Sequence, residues 1–261
     1  MKLSIAGWSL NRAFRSGELK LADFPDLAKK EFGLDAVEFN SPFFASHEPA
    51  YLAELKARAQ KAGVKVIGIA VDGMGDFTGD DPADRAAVLE RMSAWFAIAK
   101  AVGSPAFRVN SGGSATAENA AVQMQRCIEG YGALAKRGEK EGITVLIENH
   151  GGLSADPDNI VKLVKAVNSK WFRTCPDFGN FPKEVRVEGY RKIAPFAFMC
   201  HAKTHEFDAQ GNEIGVGVVP QCVAALKEVG FDGYLSIEYE GKGDQIQGVH
   251  DSIRLLKKLI A

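Results

Sequence analysis

Short apolar runs alternate with longer stretches of helical periodicity along the whole chain, and this alternation limits the fold more than any other feature. The run at 64–71 is the clearest, with the sequence Val-Lys-Val-Ile-Gly-Ile-Ala-Val. Strands that alternate with helices indicate βαβ units and therefore a parallel sheet. We predict eight strands, at 3–6, 35–39, 64–71, 106–110, 143–148, 172–177, 196–201 and 234–238.

The helical stretches complete the pattern. Asp81-Pro82 and Asp156-Pro157 predict helix starts, because aspartate caps a helix and proline fits its first turn. The first of these helices should continue to about residue 102, and further helices are predicted near 21–32, 50–62 and 245–259. Division of the 261 residues among eight units leaves about 33 for each, close to the roughly 30 that a βαβ unit requires.

These observations predict an α/β fold, a single (β/α)8 TIM barrel that takes up residues 1–261 as one domain. No linker or shift in composition divides the chain. A doubly wound open sheet is the competing fold, but it usually carries a glycine-rich phosphate-binding turn after its first strand. The sequence there is Gly7-Trp8-Ser9-Leu10-Asn11, which is not such a turn.

The charge balance excludes some classes of partner. Lysine and arginine total 32 against 33 for aspartate and glutamate, so we expect neither a nucleic-acid nor a membrane partner. The four cysteines form no CxxC pair, and the first residues are too polar for a secretory segment. We therefore expect reduced, buried thiols and a cytoplasmic protein, and the sequence leaves a homo-oligomer open.

Polar side chains end the last four predicted strands, each about one βα repeat after the one before. They are Glu148, Asp177, His201 and Glu238. Barrel enzymes place their chemistry at the carboxyl ends of the strands, so these side chains should meet at one rim. Three carboxylates brought together would repel one another without a cation. Three carboxylates and an imidazole suit one divalent metal ion, and Mn²⁺, Mg²⁺, Co²⁺, Fe²⁺ and Zn²⁺ all fit this ligand set.

The same segments resemble the xylose isomerase-like barrel superfamily, and within it the sugar phosphate isomerase/epimerase branch. The motifs that carry the resemblance are Leu-Ile-Glu-Asn-His at 146–150, Pro-Asp-Phe-Gly-Asn at 176–180, His-Ala-Lys at 201–203 and Ser-Ile-Glu-Tyr at 236–239. The resemblance implies that Glu148, Asp177, His201 and Glu238 bind the metal, for which we expect Mn²⁺ first. It further implies that Glu148 and Glu238 act as acid/base groups on opposite faces of the substrate.

One departure from the family concerns histidine. The endonuclease branch builds a three-metal cluster with several histidines, whereas this chain has five in all. Asn180 stands where that branch, and some ketose epimerases, have a histidine ligand. A hydrolytic nuclease is therefore a less favoured prediction for this chain.

We expect carbohydrate chemistry that begins with proton abstraction next to a carbonyl and passes through an enediolate, as in a sugar isomerase or epimerase. A lyase on a 3-keto sugar or glycoside would share that first step, and a non-catalytic sugar-binding barrel is the alternative from another class. The partner is a small carbohydrate. His150, Lys203, Trp8 and Asn110 are the candidates for substrate binding, and Glu38 is a further one.

Overall fold

Eight parallel strands close into a barrel in a computed structural model that describes residues 1–116 and 118–261, which confirms the predicted (β/α)8 TIM barrel. The strands pair in the order β6-β5-β4-β3-β2-β1-β8-β7. Their bounds are β1 Lys2–Ala6, β2 Ala36–Asn40, β3 Lys65–Val71, β4 Ala106–Val109, β5 Thr144–Glu148, β6 Phe172–Cys175, β7 Met199–Thr204 and β8 Tyr234–Tyr239.

The barrel closes between β6 and β7 through a few hydrogen bonds rather than a continuous ladder. The two closing bridges pair Thr174 with Ala197 and Asp177 with His201. At the second bridge, the His201 N–H donates to the carbonyl of Pro176 at 3.0 Å, and the Phe178 N–H donates to the carbonyl of His201 at 3.1 Å. This closure places two of the predicted site residues side by side.

Helices cover the outside of the barrel. Pro82 and Pro157 each stand in a helical first turn, and the preceding Asp81 and Asp156 side chains cap the helices as predicted. No helix within the described ranges is long and apolar enough to cross a bilayer. The helices are α1 Asn11–Ser16, α2 Phe24–Lys30, α3 Pro49–Ala62, α4 Pro82–Ser93, α5 Trp95–Val102, α6 Ala120–Glu141, α7 Pro157–Val167, α8 Arg186–Ile193, α9 Val219–Glu228 and α10 Gln245–Ile260.

Two predicted elements need correction. The helix expected from Pro82 to about residue 102 is two helices that meet at Ala94, where the adjacent Trp95 and Phe96 are both buried. A single amphipathic stripe does not readily bury neighbours of that size. The seventh strand begins at Met199 and not at Phe196, because a 3₁₀ turn over Ala194–Phe196 contains Pro195. His201 therefore lies within a strand that continues to Thr204.

The interior of the barrel has an apolar layer below a polar layer. Residues two apart on a strand point to the same side of the sheet. If a residue near the start of a strand points into the barrel, the residue two positions later therefore points inward as well, one layer higher. The lower layer consists of Ala36, Ile67, Ala106, Leu146, Cys175 and Met199. Two positions later on five of these strands or their extensions are Glu38, Arg108, Glu148, Asp177 and His201, all buried. The fold thus concentrates charged side chains above a layer of buried apolar residues.

The four cysteines are free and buried, in keeping with the expected reduced thiols. Burial raises the pKa of the Cys127 and Cys175 thiols to about 12 each, so little thiolate forms near neutral pH. We expect none of the four to react with a thiol reagent such as DTNB in the native protein at pH 8, and all four to react after unfolding in guanidinium chloride. A thiol that reacts rapidly before unfolding would show that one of these positions opens to solvent.

Candidate metal centre

Glu148, Asp177, His201 and Glu238 come together inside the top of the barrel. One ligand atom from each of the four lies within 4.8 Å of those from the other three, and all four side chains are buried. Glu148 is the last residue of β5, Asp177 follows β6, and His201 and Glu238 belong to β7 and β8. Because the four residues lie on or just after the consecutive strands β5 to β8, their side chains lie next to one another around the top of the barrel interior.

The His201 ring is held by a carboxylate on each side. Its Nδ1 lies 2.8 Å from Glu148 Oε1, and its Nε2 lies 3.0 Å from both carboxylate oxygens of Glu38. Ser236 Oγ donates to Glu38 Oε2 at 2.8 Å and fixes that carboxylate in turn. Burial opposes protonation of His201, but these carboxylates hold its pKa well above the usual range. Glu38 thus orients the imidazole from behind, with Nδ1 turned toward the four-residue cluster.

A buried arginine accompanies Glu148. Arg108 Nε lies 3.0 Å from Glu148 Oε2, and its Nη1 lies 2.5 Å from Oδ1 of Asp72. Burial of Glu148 disfavours its charged form, but the positive charges of His201 and Arg108 outweigh that cost and hold the carboxyl pKa well below its usual range. Glu148 is therefore ionised throughout the neutral range.

Asp177 is oriented by its own turn and by a neighbouring loop. Its Oδ1 accepts hydrogen bonds from the backbone N–H groups of Gly179 and Asn180, both at 2.7 Å. The Asn149 side chain forms two hydrogen bonds with the Asp177 backbone. Its Oδ1 accepts from the Asp177 N–H at 2.7 Å, and its Nδ2 donates to the Asp177 carbonyl at 3.1 Å. Burial raises the pKa of the Asp177 carboxyl to about 7. The remaining oxygen, Oδ2, faces the cluster.

Three carboxylate oxygens of the cluster are buried and accept no well-directed hydrogen bond from the residues that the structure describes, although Arg108 and Lys203 lie beside them as ion-pair partners. They are Glu148 Oε2, Asp177 Oδ2 and Glu238 Oε2, one from each carboxylate. Each oxygen has acceptor capacity left for a further partner, because an ionised carboxylate offers about four lone-pair sites. Three such oxygens beside an oriented imidazole nitrogen form a cluster that could bind a divalent cation.

Lys203 lies at the edge of this cluster and is itself almost fully buried. Its Nζ donates to Asn180 Oδ1 at 2.8 Å and lies 3.1 Å from Glu238 Oε2 and 3.6 Å from Asp177 Oδ2. A fourth acceptor, Glu240 Oε2, lies at 3.2 Å. Burial disfavours the ammonium, but the surrounding carboxylates, Asp177 first, raise the Lys203 pKa well above its usual value.

Trp8 lies at the barrel mouth and is connected to the same group. Its indole Nε1–H donates to Glu240 Oε1 at 2.7 Å. The ring stacks on Phe43 with centroids 5.9 Å apart, and the Arg15 guanidinium lies 5.1 Å from its centroid. Burial favours protonation of Glu240, but the neighbouring His205 ring and the charge of Lys203 outweigh it and lower the carboxyl pKa to about 2.

The other two substrate candidates lie on the β4 and β5 sides of the barrel mouth. Asn110 Nδ2 is 3.3 Å from Oδ1 of Asp72, the partner of Arg108, while Asn110 Oδ1 is buried and accepts no hydrogen bond in the described chain. His150 is exposed, and its backbone N–H donates to Ser154 Oγ at 3.0 Å. Asn110 therefore belongs to the polar layer, whereas the His150 side chain lies at the solvent edge.

Glycines allow the loops after β4 and β5 to pack tightly beside the cluster. Gly152 has a φ of +58°, and a Cβ at this position would lie 2.1 Å from the carbonyl oxygen of Gly112. The same carbonyl accepts the Leu153 N–H at 2.8 Å. Only glycine fits this contact, and the contact fixes the loop that follows Glu148.

Sequence reasoning missed Arg108 and Glu240, and it offered Glu38 only as a substrate contact. A signal for Arg108 and Glu38 was present, because each is a charged residue inside a short apolar strand, Ala-Phe-Arg-Val and Ala-Val-Glu-Phe. In a barrel strand such a residue must point inward or sideways into the core, and it requires a partner there. Glu240 carries no comparable signal, since it follows β8 among polar loop residues.

Comparison with known proteins agrees with this architecture. A curated relative, the C-glycoside deglycosidase alpha subunit of Arthrobacter globiformis, is 38% identical over 74 residues, which are 28% of this chain and 21% of that subunit. The match thus spans about a fifth of the relative's length. A crystal structure of a D-tagatose 3-epimerase-like protein superposes with a TM-score of 0.78 at 19% identity, covering 100% of this chain and 97% of the other.

A second solved structure, of the IOLI protein with a bound zinc atom, gives a TM-score of 0.77 at 15% identity and covers 100% of this chain and 98% of that one. At these identities the two superpositions show a shared fold. The family model described as a xylose isomerase-like TIM barrel matches residues 26–259, nearly the whole barrel. The chain belongs to the xylose isomerase-like TIM barrel family.

Proposed function

We propose that this chain is a divalent-metal-dependent sugar isomerase or epimerase, built as one barrel domain over residues 1–261. The observation that carries the proposal is the group of three buried carboxylate oxygens that accept no well-directed hydrogen bond and lie beside the oriented His201 ring. Uncompensated polar groups cluster at functional sites, where a ligand supplies the missing partner. The proposed substrate is a small carbohydrate with a carbonyl group, handled in the cytoplasm.

The four residues of the cluster would hold the ion: Glu148, Asp177 and Glu238 through these buried carboxylate oxygens, and His201 through Nδ1. The ion would supply Lewis acidity, which polarises a substrate carbonyl and makes the neighbouring C–H more acidic. The oxygen-rich ligand set favours Mn²⁺ as the first choice, with Mg²⁺, Co²⁺, Fe²⁺ and Zn²⁺ as alternatives. A bound zinc atom in the IOLI protein, which shares the fold, is consistent with this range.

Glu148 and Glu238 are the proposed proton-transfer groups. They belong to β5 and β8, so the two strands between them separate the points from which they approach the barrel centre. The buried Arg108 guanidinium, 3.0 Å from Glu148 Oε2, favours the ionised form of Glu148, as a base requires before it accepts a proton from carbon. Removal of that proton by one glutamate and delivery by the other to the opposite face inverts the carbon centre. Return of the proton to the adjacent carbon interconverts an aldose and a ketose.

The remaining polar residues are proposed to bind the substrate. The Lys203 ammonium lies within 3.6 Å of two cluster carboxylates, where it could contact a substrate oxygen next to the ion. Asn110 offers a buried oxygen that lacks a donor, as a sugar hydroxyl group would provide. Trp8 forms part of the wall at the barrel mouth, and the exposed His150 would close the β5 side.

A lyase that acts on a 3-keto sugar or glycoside is the second candidate. Its support is the local similarity to the C-glycoside deglycosidase alpha subunit, a protein whose name describes removal of a sugar. Both candidates begin with the same deprotonation, and elimination follows where a leaving group lies β to the carbanion. Product analysis distinguishes them, since only the lyase increases the number of molecules.

Proton NMR in D₂O tests the shared first step. The manganese-loaded enzyme is quenched and the sugar recovered after incubation with a panel of ketohexoses, aldoses and 3-keto glycosides. We expect deuterium at a carbon next to the carbonyl of at least one compound, and no incorporation after treatment with EDTA. Incorporation that continues undiminished in EDTA would refute the metal-dependent mechanism, and hydrolysis without exchange would indicate a different reaction.

A further inference from the structure

The Lys203 ammonium lies against the same oxygens that the proposed metal ion would use. Two of the four oxygens around its Nζ, Glu238 Oε2 at 3.1 Å and Asp177 Oδ2 at 3.6 Å, belong to carboxylates of the four-residue cluster. An ammonium has three N–H groups and carries a full positive charge. A divalent cation on those oxygens would take two partners from Lys203 and repel it as well. An anion other than Asp177 and Glu238 is therefore needed to keep Lys203 in place when the metal is bound.

Glu240 is placed to be that anion. Its Oε2 lies 3.2 Å from Lys203 Nζ, and Asn180 Oδ1 at 2.8 Å supplies a second, neutral acceptor on the same ammonium. Glu240 does not belong to the four-residue cluster. Its carboxylate can therefore remain with Lys203 whether or not the four cluster residues hold an ion.

The other carboxylate oxygen of Glu240 contacts the aromatic residue Trp8. Oε1 accepts the Trp8 indole N–H at 2.7 Å, and Oε2 also lies 3.6 Å from His205 Nε2. One carboxylate thus connects residues that follow β1, β7 and β8, three neighbouring strands of the barrel. A change in the position of Lys203 would therefore alter the position of Glu240, and through it that of the Trp8 ring stacked on Phe43 at the barrel mouth.

We propose that Glu240 is a positioning residue, a counter-ion that holds the Lys203 ammonium beside the metal site while fixing the Trp8 indole at the barrel mouth. This inference rests on the proposed metal-dependent function. Glu240 acts through Lys203 and Trp8 and takes no part in proton transfer. Without it, Lys203 would rely on Asp177 and Glu238 for its counter-charge and compete with the metal for them.

A double-mutant cycle with Mn²⁺ as the only ligand tests the proposal by isothermal titration calorimetry. Glu240→Gln should weaken Mn²⁺ binding about tenfold, within the range seen when groups that support a metal site are lost. Lys203→Met should tighten binding, because the competing ammonium is gone. In the Lys203→Met background, Glu240→Gln should have at least threefold less effect on the dissociation constant than in the wild-type chain.

Two controls isolate the contact. Glu206→Gln removes an equal charge from an exposed position near the same rim, and at 0.15 M salt it should change Mn²⁺ affinity less than about threefold. Thermal unfolding of every variant shows that it is folded. For the Trp8 contact, acrylamide quenching of Trp8 emission, obtained by difference from Trp8→Phe variants, should rise in Glu240→Leu, because the indole loses its acceptor.

Equal effects of Glu240→Gln in both backgrounds would overturn the counter-ion role, because a general charge effect does not require Lys203. Weaker Mn²⁺ binding by Lys203→Met would overturn it as well, and this variant decides the matter should Glu240→Gln fail to fold. Unchanged quenching in Glu240→Leu would overturn the part that concerns Trp8. Failure of the wild-type chain to bind Mn²⁺ or any related divalent ion would instead remove the proposed function and this inference together.

Discussion

Glu148→Gln and Glu238→Gln are each expected to lower turnover by about 10²–10⁴-fold with saturating Mn²⁺, the range that one acid/base group contributes. Glutamine preserves the size of the side chain and can still offer an oxygen, but an amide does not accept a proton from carbon at neutral pH. The measurement is the rate of product formation together with deuterium incorporation from D₂O. With two bases, either single substitution stops inversion, although exchange on the unaltered face can continue.

Both glutamates are also proposed metal ligands, so the variants need a control that separates binding from proton transfer. Asp177→Asn alters a carboxylate of the same cluster that we do not propose as a base. Its activity should recover as Mn²⁺ is raised, whereas that of Glu148→Gln and Glu238→Gln should remain low at every Mn²⁺ concentration. Full recovery of both glutamine variants would mean that neither carboxylate transfers the proton.

Arg108→Met is expected to lower the free energy of unfolding of the metal-free protein by about 3–5 kcal/mol. The substitution keeps most of the apolar volume but leaves Glu148 as a buried carboxylate without its arginine, and loss of one partner of a buried pair has a cost of this order. Asp72 loses the same partner at a half-buried position. Urea unfolding monitored by circular dichroism measures the change.

Mn²⁺ should restore part of that stability, because a cation beside Glu148 replaces some of the missing positive charge and binds only the folded state. Arg191→Met is the matched control, since Arg191 forms an exposed ion pair with Glu228 at 3.7 Å. Its substitution should change the free energy of unfolding by no more than about 1 kcal/mol. A loss for Arg108→Met as small as for Arg191→Met would show that Glu148 does not depend on this arginine.

The sequence was sufficient for the barrel and for its family because both depend on repeated local patterns. Eight apolar runs that alternate with helical stretches could be counted without knowledge of any contact, and the Asp-Pro pairs before α4 and α7 marked helix starts. Polar residues at the ends of successive parallel strands converge by topology alone, as Glu148, Asp177, His201 and Glu238 do. None of these inferences required the register of a strand to be known.

The partners of the cluster depend on register, and register was where sequence reasoning failed. The predicted seventh strand covered residues 196–201, so Lys203 was expected in the loop that follows. In the structure β7 runs from Met199 to Thr204, and Lys203 lies within it opposite Glu238. The pairing of Arg108 with Glu148 and of Glu240 with Trp8 joins residues 40 or more positions apart. Only the closed barrel, with its inward alternation, brings such residues into contact.

The most direct test of the account is the stoichiometry and affinity of Mn²⁺ binding, measured by calorimetry on the metal-free protein. The account predicts one Mn²⁺ per chain, with an affinity that falls by more than about 100-fold in His201→Ala, beyond the 10–100-fold expected for loss of a residue that only supports a ligand. His250→Gln, which alters a half-buried histidine on α10 that pairs with Glu31, should bind as the wild type does. Absence of binding, or equal affinity in His201→Ala and the wild type, would contradict a metal centre at Glu148, Asp177, His201 and Glu238.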